Sequence, residues 1–224
     1  MSVGEPRPYA VMLAVARKLV AVVGNTPAAV RAAKGFAAHG ADVVVFTPDA
    51  TPELLTMESD GDLTLESRAY ARGDLAEAFL AVVASGSGAT DAAAIEEARA
   101  IGALVYVPDD AGESDFIVPS VVRRGAVQIA VTTGGGAPSV AREIRRDIAA
   151  EYGPEWDEYA TLMAGLRKYA IERTGCADAE LAPLFEAVDG AEVRRLIALG
   201  RVFTAKELFE EHRGALETAA GSGA

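Results

Sequence analysis

The sequence predicts an α/β fold: a doubly wound parallel sheet followed by a helical region. Three observations carry that expectation. Short β-branched runs recur along the first 110 or so residues, with Ala-rich helical stretches between them. The runs are continuously apolar rather than alternating, which marks strands buried on both faces of a parallel sheet. Beyond Gly153 only helical periodicity remains.

Leu19 to Val23 (LVAVV) is the first strand, closing on Gly24, and Ala28 to His39 reads as a helix stopped by Gly40. Asp42 to Phe46 (DVVVF) is the second strand, ended by Thr47-Pro48-Asp49. Leu63 to Ser67 is a third, and Phe79 to Ala84 a fourth that runs into Ser85-Gly86. Asp91 to Ile101 is a helix stopped by Gly102, and Ala103 to Val107 is the fifth strand, ending at Pro108-Asp109-Asp110. Right-handed crossovers make this a Rossmann-like domain, whose ligands bind beyond the carboxyl ends of the strands. Phe116 to Val118 is a short apolar run cut by Pro119, and Val127 to Val131 is a further strand. The Gly-rich turn Thr132 to Pro138 follows, then a charged helix over Ser139 to Tyr152. The small-residue tail Ala219 to Ala224 is expected to lack regular structure.

Composition narrows the function. The 224 residues carry 21 basic and 33 acidic side chains, a net charge of −12, which argues against nucleic acid and anionic membranes as partners. A single cysteine, Cys176, excludes an internal disulfide, and His39 and His212 suggest no metal pair, so no metal site is expected. No apolar run reaches the roughly 18–20 residues of a membrane span. Met1 to Pro8 lacks the layout of a signal peptide, so a soluble cytoplasmic protein is expected.

The turn after the first strand reads Gly24-Asn25-Thr26-Pro27-Ala28-Ala29, against the dinucleotide pattern G-x-G-x-x-G/A. Gly24 and Ala29 fit. Thr26 stands where a second glycine lets the backbone approach a pyrophosphate, although its hydroxyl could donate to a phosphate. Pro27 suits a helix start but removes one N–H from the anion-binding set. Asp49 is the carboxylate nearest the end of the second strand, beyond Phe46 and Thr47. It can serve the adenosine ribose or simply the turn. Without further information a nucleotide-free strand-to-helix turn is an equal alternative.

The stretch Asp109-Asp110-Ala111-Gly112-Glu113-Ser114-Asp115-Phe116-Ile117-Val118-Pro119-Ser120 is more specific. With Arg123-Arg124-Gly125, Gln128 to Val131, Thr132-Thr133-Gly134-Gly135 and Pro138-Ser139-Val140-Ala141-Arg142, it resembles the precorrin-2 dehydrogenase / sirohydrochlorin ferrochelatase family. That family shows a valine-rich strand ending in Asp, a Phe-Ile-x-Pro segment, and a Ser/Thr-rich Gly-Gly turn followed by Pro and Ala-Arg. The likeness covers roughly residues 9 to 150. It implies a NAD-binding domain (1–113), a dimerisation segment (114–150) and a helical C-terminal domain (151–224), assembled as an intertwined homodimer. It further implies removal of two hydrogens from precorrin-2 to give sirohydrochlorin, with NAD as hydride acceptor. Some members also insert iron. Asp109 matches the family's acid/base residue.

Three departures fall on the nucleotide side: Thr26, Ser85-Gly86 in place of a Thr-Asp pair, and Asp91 in place of an Asn. They leave open a chelatase-only relative or a non-catalytic tetrapyrrole-binding protein. The cofactor contacts expected are Gly24, Asn25, Thr26, Pro27, Ala28, Phe46, Thr47, Asp49, Ser85 and Gly86.

A carboxylate at the sheet's functional edge can take the proton that oxidation releases, or accept pyrrole N–H protons during metal insertion. Asp109-Asp110 can equally initiate a polar turn. The family's substrate carries many carboxylates, so a −12 protein needs a local basic cluster to bind it. Arg123, Arg124 and Arg142 are the candidates, while Arg145 and Arg146 can be a solvated helix face. Thr132, Thr133, Gly134 and Gly135 precede a helix start, a ready anion site. Trp156 and Tyr159 serve either the macrocycle or helix packing.

Overall fold

A computed structural model describes residues 9–108 and 110–221. Asp109, Met1 to Pro8 and Ser222 to Ala224 lie outside the described residues, and with them the expectations placed there. The chain divides into two compact units, one ending at Val118 and the other starting at Pro119.

The first unit alternates strands and helices: β1 (Leu19–Val23), α1 (Pro27–Ala37), β2 (Asp42–Phe46), α2 (Pro52–Ser59), β3 (Thr64–Glu66), β4 (Leu80–Val83), α3 (Gly88–Ile101) and β5 (Leu104–Tyr106). All four strand pairings are parallel, in the order β3-β2-β1-β4-β5. That is the Rossmann-like sheet the sequence predicts.

Alternation along each strand builds two cores, one on each face. Val20 and Val22 of β1 join Val43, Val45, Leu80 and Val82 beneath α1 and α2. Ala21 and Val23 join Ala81, Val83 and Val105 beneath Ala94, Ile95 and Ala98 of α3. Both registers of β1 are therefore apolar, and full burial of each Val or Leu contributes roughly 1.5–3 kcal/mol. Caps set the helix starts: the hydroxyls of Thr26 and Thr51 accept from Ala29 N and Leu54 N, with proline in the first turn of each helix.

The second unit opens with an antiparallel hairpin, β6 (Ser120–Arg124) and β7 (Val127–Val131), joined by Gly125-Ala126. Gly125 has φ +55°, as a two-residue hairpin turn requires, and a Cβ there would collide with the Asp157 carboxylate at 1.6 Å. Next come α4 (Pro138–Glu151) and α5 (Glu155–Thr174), then a 3-10 turn at Asp178–Leu181. The chain continues through α6 (Ala182–Ala187), α7 (Gly190–Ala198), α8 (Ala205–His212) and α9 (Gly214–Gly221). Leu166 and Ala170 of α5 are fully buried among Leu184, Val193, Ile197, Leu208 and Phe209. α9 carries helix into the tail that composition alone left unstructured.

Candidate functional site

In the first unit the loops after β1, β2 and β4 meet at the carboxyl edge of the sheet. Gly24 is the hub. Its N–H donates to Phe46 O at 3.0 Å, and a Cβ on it would lie 2.2 Å from Ala84 O and 2.5 Å from Ser85 Cα. With φ +111° as well, only glycine fits there. Asn25 reaches across to donate through Nδ2 to Asp49 O. Thr47, 2% exposed, accepts from Asp49 N through its hydroxyl at 3.3 Å and fixes the β2 turn. Gly24, Asn25, Phe46, Thr47, Asp49 and Ser85, named from sequence as cofactor contacts, thus share one locus, with Gly86 (φ +80°) next to Ser85.

Donors are available at this locus. Among the described residues the N–H groups of Asn25, Thr26 and Ala28 have no acceptor within the chain, and they open the positive end of α1. Thr26 Oγ1 is taken as acceptor by Ala29 N at 3.2 Å, so it caps the helix while its own proton stays free. An open groove of about 470 Å3 runs between the first turns of α1 and α2, lined by Asn25, Pro27, Val30, Arg31, Thr51 and Glu53. Free N–H donors, a helix start and a glycine pressed against the next loop fit a dinucleotide's phosphates.

Asp91 has a role the sequence did not suggest. Its Oδ1 accepts from Ser85 N at 2.9 Å and Ser85 Oγ at 2.6 Å, tying the β4 loop to the first turn of α3. Beneath that loop, Glu97 is 6% exposed and accepts from Tyr70 Oη, Gly73 N and Leu75 N at 2.5, 2.9 and 3.0 Å. Burial alone would raise the Glu97 carboxyl, but the three hydrogen bonds and nearby Arg72 outweigh it and hold the group below its ordinary value. Burial and the bond to Glu97 push the Tyr70 phenol up. This is a structural clamp on residues 70–75.

Past β5 the chain turns sharply. Asp110 Oδ1 accepts from Gly112 N and Glu113 N at 3.0 and 3.2 Å, and Tyr106 stacks on Phe116 with centroids 5.3 Å apart. The Phe-Ile-x-Pro motif therefore begins as packing against β5.

In the second unit the hairpin feeds the Gly-rich loop and α4. Gly134 and Gly135 adopt φ +68° and +87°. Thr132 Oγ1 accepts from Gly134 N at 3.1 Å and Thr133 Oγ1 from Ala137 N at 3.1 Å, so both hydroxyls shape the loop. Arg123 and Arg142 are exposed. Arg124 is drawn into the fold: Nε and Nη2 donate to Tyr152 O and Ala149 O at 2.8 and 2.9 Å, and Nη1 to Arg123 O. It holds the carboxyl end of α4, where a cation is favoured. Trp156 carries Arg194 over its ring at 4.1 Å and Tyr159 at its edge, a packing cluster of α5 and α7.

Among the described residues no three His, Cys, Asp or Glu side chains converge as a metal site, and no helix is long and apolar enough to cross a membrane.

Two family models match in succession. One, described as NAD(P)-binding, covers residues 11–120, and the other, the sirohaem biosynthesis protein central region, covers 124–151. Over these residues the chain is similar to precorrin-2 dehydrogenases and siroheme synthases. A siroheme synthase of Chromobacterium violaceum is 36% identical over 124 residues, 55% of this chain and 26% of the relative. One from Xylella fastidiosa is 32% identical across 67% of this chain and 32% of its own length. A precorrin-2 dehydrogenase of Priestia megaterium is 26% identical over 69% of this chain and 76% of the relative. The chain thus spans about a quarter to a third of those siroheme synthases. The solved structure titled SirC, precorrin-2 dehydrogenase, superposes with a TM-score of 0.74 at 23% identity, over 92% of this chain and all of that one. It shares the fold.

Proposed function

We propose that this protein oxidises precorrin-2 to sirohydrochlorin with NAD as acceptor, on the route to siroheme, as a soluble cytoplasmic homodimer. The observation that carries the reading is the locus around Gly24. There a glycine that admits no Cβ lets the loops after β1 and β4 meet beside the open first-turn N–H groups of α1, an arrangement that suits a pyrophosphate.

Asn25, Thr26 and Ala28 hold the pyrophosphate through backbone donors, and the Thr26 hydroxyl adds one more. Asp49 and the groove beside Thr51 take the adenosine ribose. When bound, NAD supplies the hydride acceptor. Asp109 takes the proton that leaves with the other hydrogen, so charge does not build up on the macrocycle as the hydride departs. Arg123 and Arg142 bind substrate carboxylates, helped by backbone donors of Gly134 and Gly135 and the hydroxyls of Thr132 and Thr133. Arg124 acts from behind, keeping α4 in place.

Iron insertion into sirohydrochlorin is a second reading, in a relative that has lost NAD. One observation favours it: Asp91 places a carboxylate on Ser85, where the family has a neutral Asn. Titrating the protein with NAD separates the two. Saturable binding below millimolar concentration supports the dehydrogenase, and no binding leaves only metal insertion or tetrapyrrole carriage.

A further inference from the structure

The hydrogen bonds that shape the loop after β4 converge on one carboxylate. Asp91, in the first turn of α3, accepts through Oδ1 from Ser85 N at 2.9 Å and from Ser85 Oγ at 2.6 Å. Ser85 Oγ in turn accepts from Ser87 N at 3.1 Å. Donation thus runs from Ser87 N through the Ser85 hydroxyl to Asp91. Gly86, between the two serines at φ +80°, keeps its N–H without an acceptor among the described residues. Other bonds hold the loop's ends. Ala84 N donates to Val23 O at 2.9 Å, Thr90 Oγ1 to Ser87 Oγ at 3.2 Å and Asp91 N to Ser87 O at 2.8 Å, but none of them reaches Ser85.

Ser85 matters because its Cα stands 2.5 Å from where a Gly24 Cβ would lie. Through Ser85, the Asp91 carboxylate therefore sets the wall against which the Gly24 turn rests. The same chain of contacts brings its charge within a Debye length of Gly24, about 8 Å at physiological salt. A negative charge at that range repels phosphates, even though the positive end of α3 favours a carboxylate there.

We infer that Asp91 sets the affinity for the dinucleotide in two opposed ways, its Oδ1 placing the Ser85–Ser87 loop and its charge opposing the phosphates. The inference rests on reading the locus around Gly24 as the NAD site. Two substitutions separate the effects. Asp91→Asn keeps the acceptor and removes the charge, so it lowers Kd for NAD about three- to tenfold at low salt. That gain fades as salt is raised, because screening removes the repulsion in the wild type. Asp91→Ala removes both, so it binds NAD about tenfold more weakly than Asp91→Asn. The ratio between these two neutral variants holds at every salt concentration.

The test titrates NAD into the full chain by calorimetry, at low and high salt, with wild type, Asp91→Asn and Asp91→Ala in parallel. Thermal midpoints of the free proteins check that each variant is folded. The expected result is tighter, less salt-sensitive binding in Asp91→Asn and weaker binding in Asp91→Ala than in Asp91→Asn. Equal Kd in wild type and Asp91→Asn at low salt, or a gain that salt does not reduce, overturns the inference and leaves the NAD reading standing. Equal Kd in Asp91→Asn and Asp91→Ala overturns it too. Should Asp91→Ala not fold, the salt comparison of wild type with Asp91→Asn decides. No saturable NAD binding by any of the three removes the NAD reading and the inference together.

Discussion

At the residue scale Gly24 bears the heaviest constraint in the first unit. Its positive φ and its contact with Ala84 O exclude any Cβ, so Gly24→Ala must push β1 and β4 apart at their carboxyl ends. We expect a loss of about 2 kcal/mol or more, read as a fall in the denaturation midpoint, and NAD binding lost with it. An unchanged midpoint would mean the two loops are not pressed together. Glu97 gives a pH-dependent counterpart. Its folded-state carboxyl is held low by Tyr70, Gly73 and Leu75, so it contributes stability above the unfolded carboxylate range near about pH 4.3 and loses it as pH falls through the folded value. Glu97→Gln should cost about 1–3 kcal/mol at about pH 7 and flatten the fall in Tm between about pH 5 and about pH 3. A variant that follows the wild-type curve in that window would show that Glu97 does not carry the effect.

At the element scale the hairpin and α4 separate two neighbouring arginines. Arg124→Ala leaves the carbonyls of Ala149 and Tyr152 without their donor and should destabilise the second unit by about 1–3 kcal/mol. Arg123→Ala, on an exposed side chain, should stay within about 0.5 kcal/mol and instead raise KM for the tetrapyrrole. Equal effects on stability would contradict the split. Sequence could not separate the pair, because the partners of Arg124 lie 25 and 28 residues away and only the fold brings them near. The strands were more legible. The Val-rich runs Leu19 to Val23, Asp42 to Phe46 and Val127 to Val131 are strands over their whole length, the first two packed into the core and the third alternating between part-buried and exposed positions in its hairpin. α2 was missed although Thr51 and Pro52 signalled its start, because Pro52 to Ser59 has no clear apolar stripe. β6 was missed because it follows Pro119 and ends in two arginines.

At the scale of the whole molecule, the meeting of the loops around Gly24 was readable in outline. Parallel sheets put ligands at their carboxyl edge, and that rule, the dinucleotide loop pattern and the family resemblance together named Gly24, Asn25, Phe46, Asp49 and Ser85. What these could not supply were the side chains that fix the loops, Asp91 on Ser85 and Ser114 on Val107. Those bonds satisfy polar groups exposed only once the strands are laid side by side. The net charge of −12 works against a polycarboxylate substrate, and the proposed function therefore assigns its attraction to the exposed Arg123 and Arg142 at short range. The central claim, that this protein transfers hydride to NAD, is tested most directly by mixing the protein with precorrin-2 and NAD without oxygen and following NADH and sirohydrochlorin by absorbance. Equimolar NADH and sirohydrochlorin, abolished in Asp109→Ala, is the result expected. No NADH at saturating precorrin-2 and NAD would contradict it.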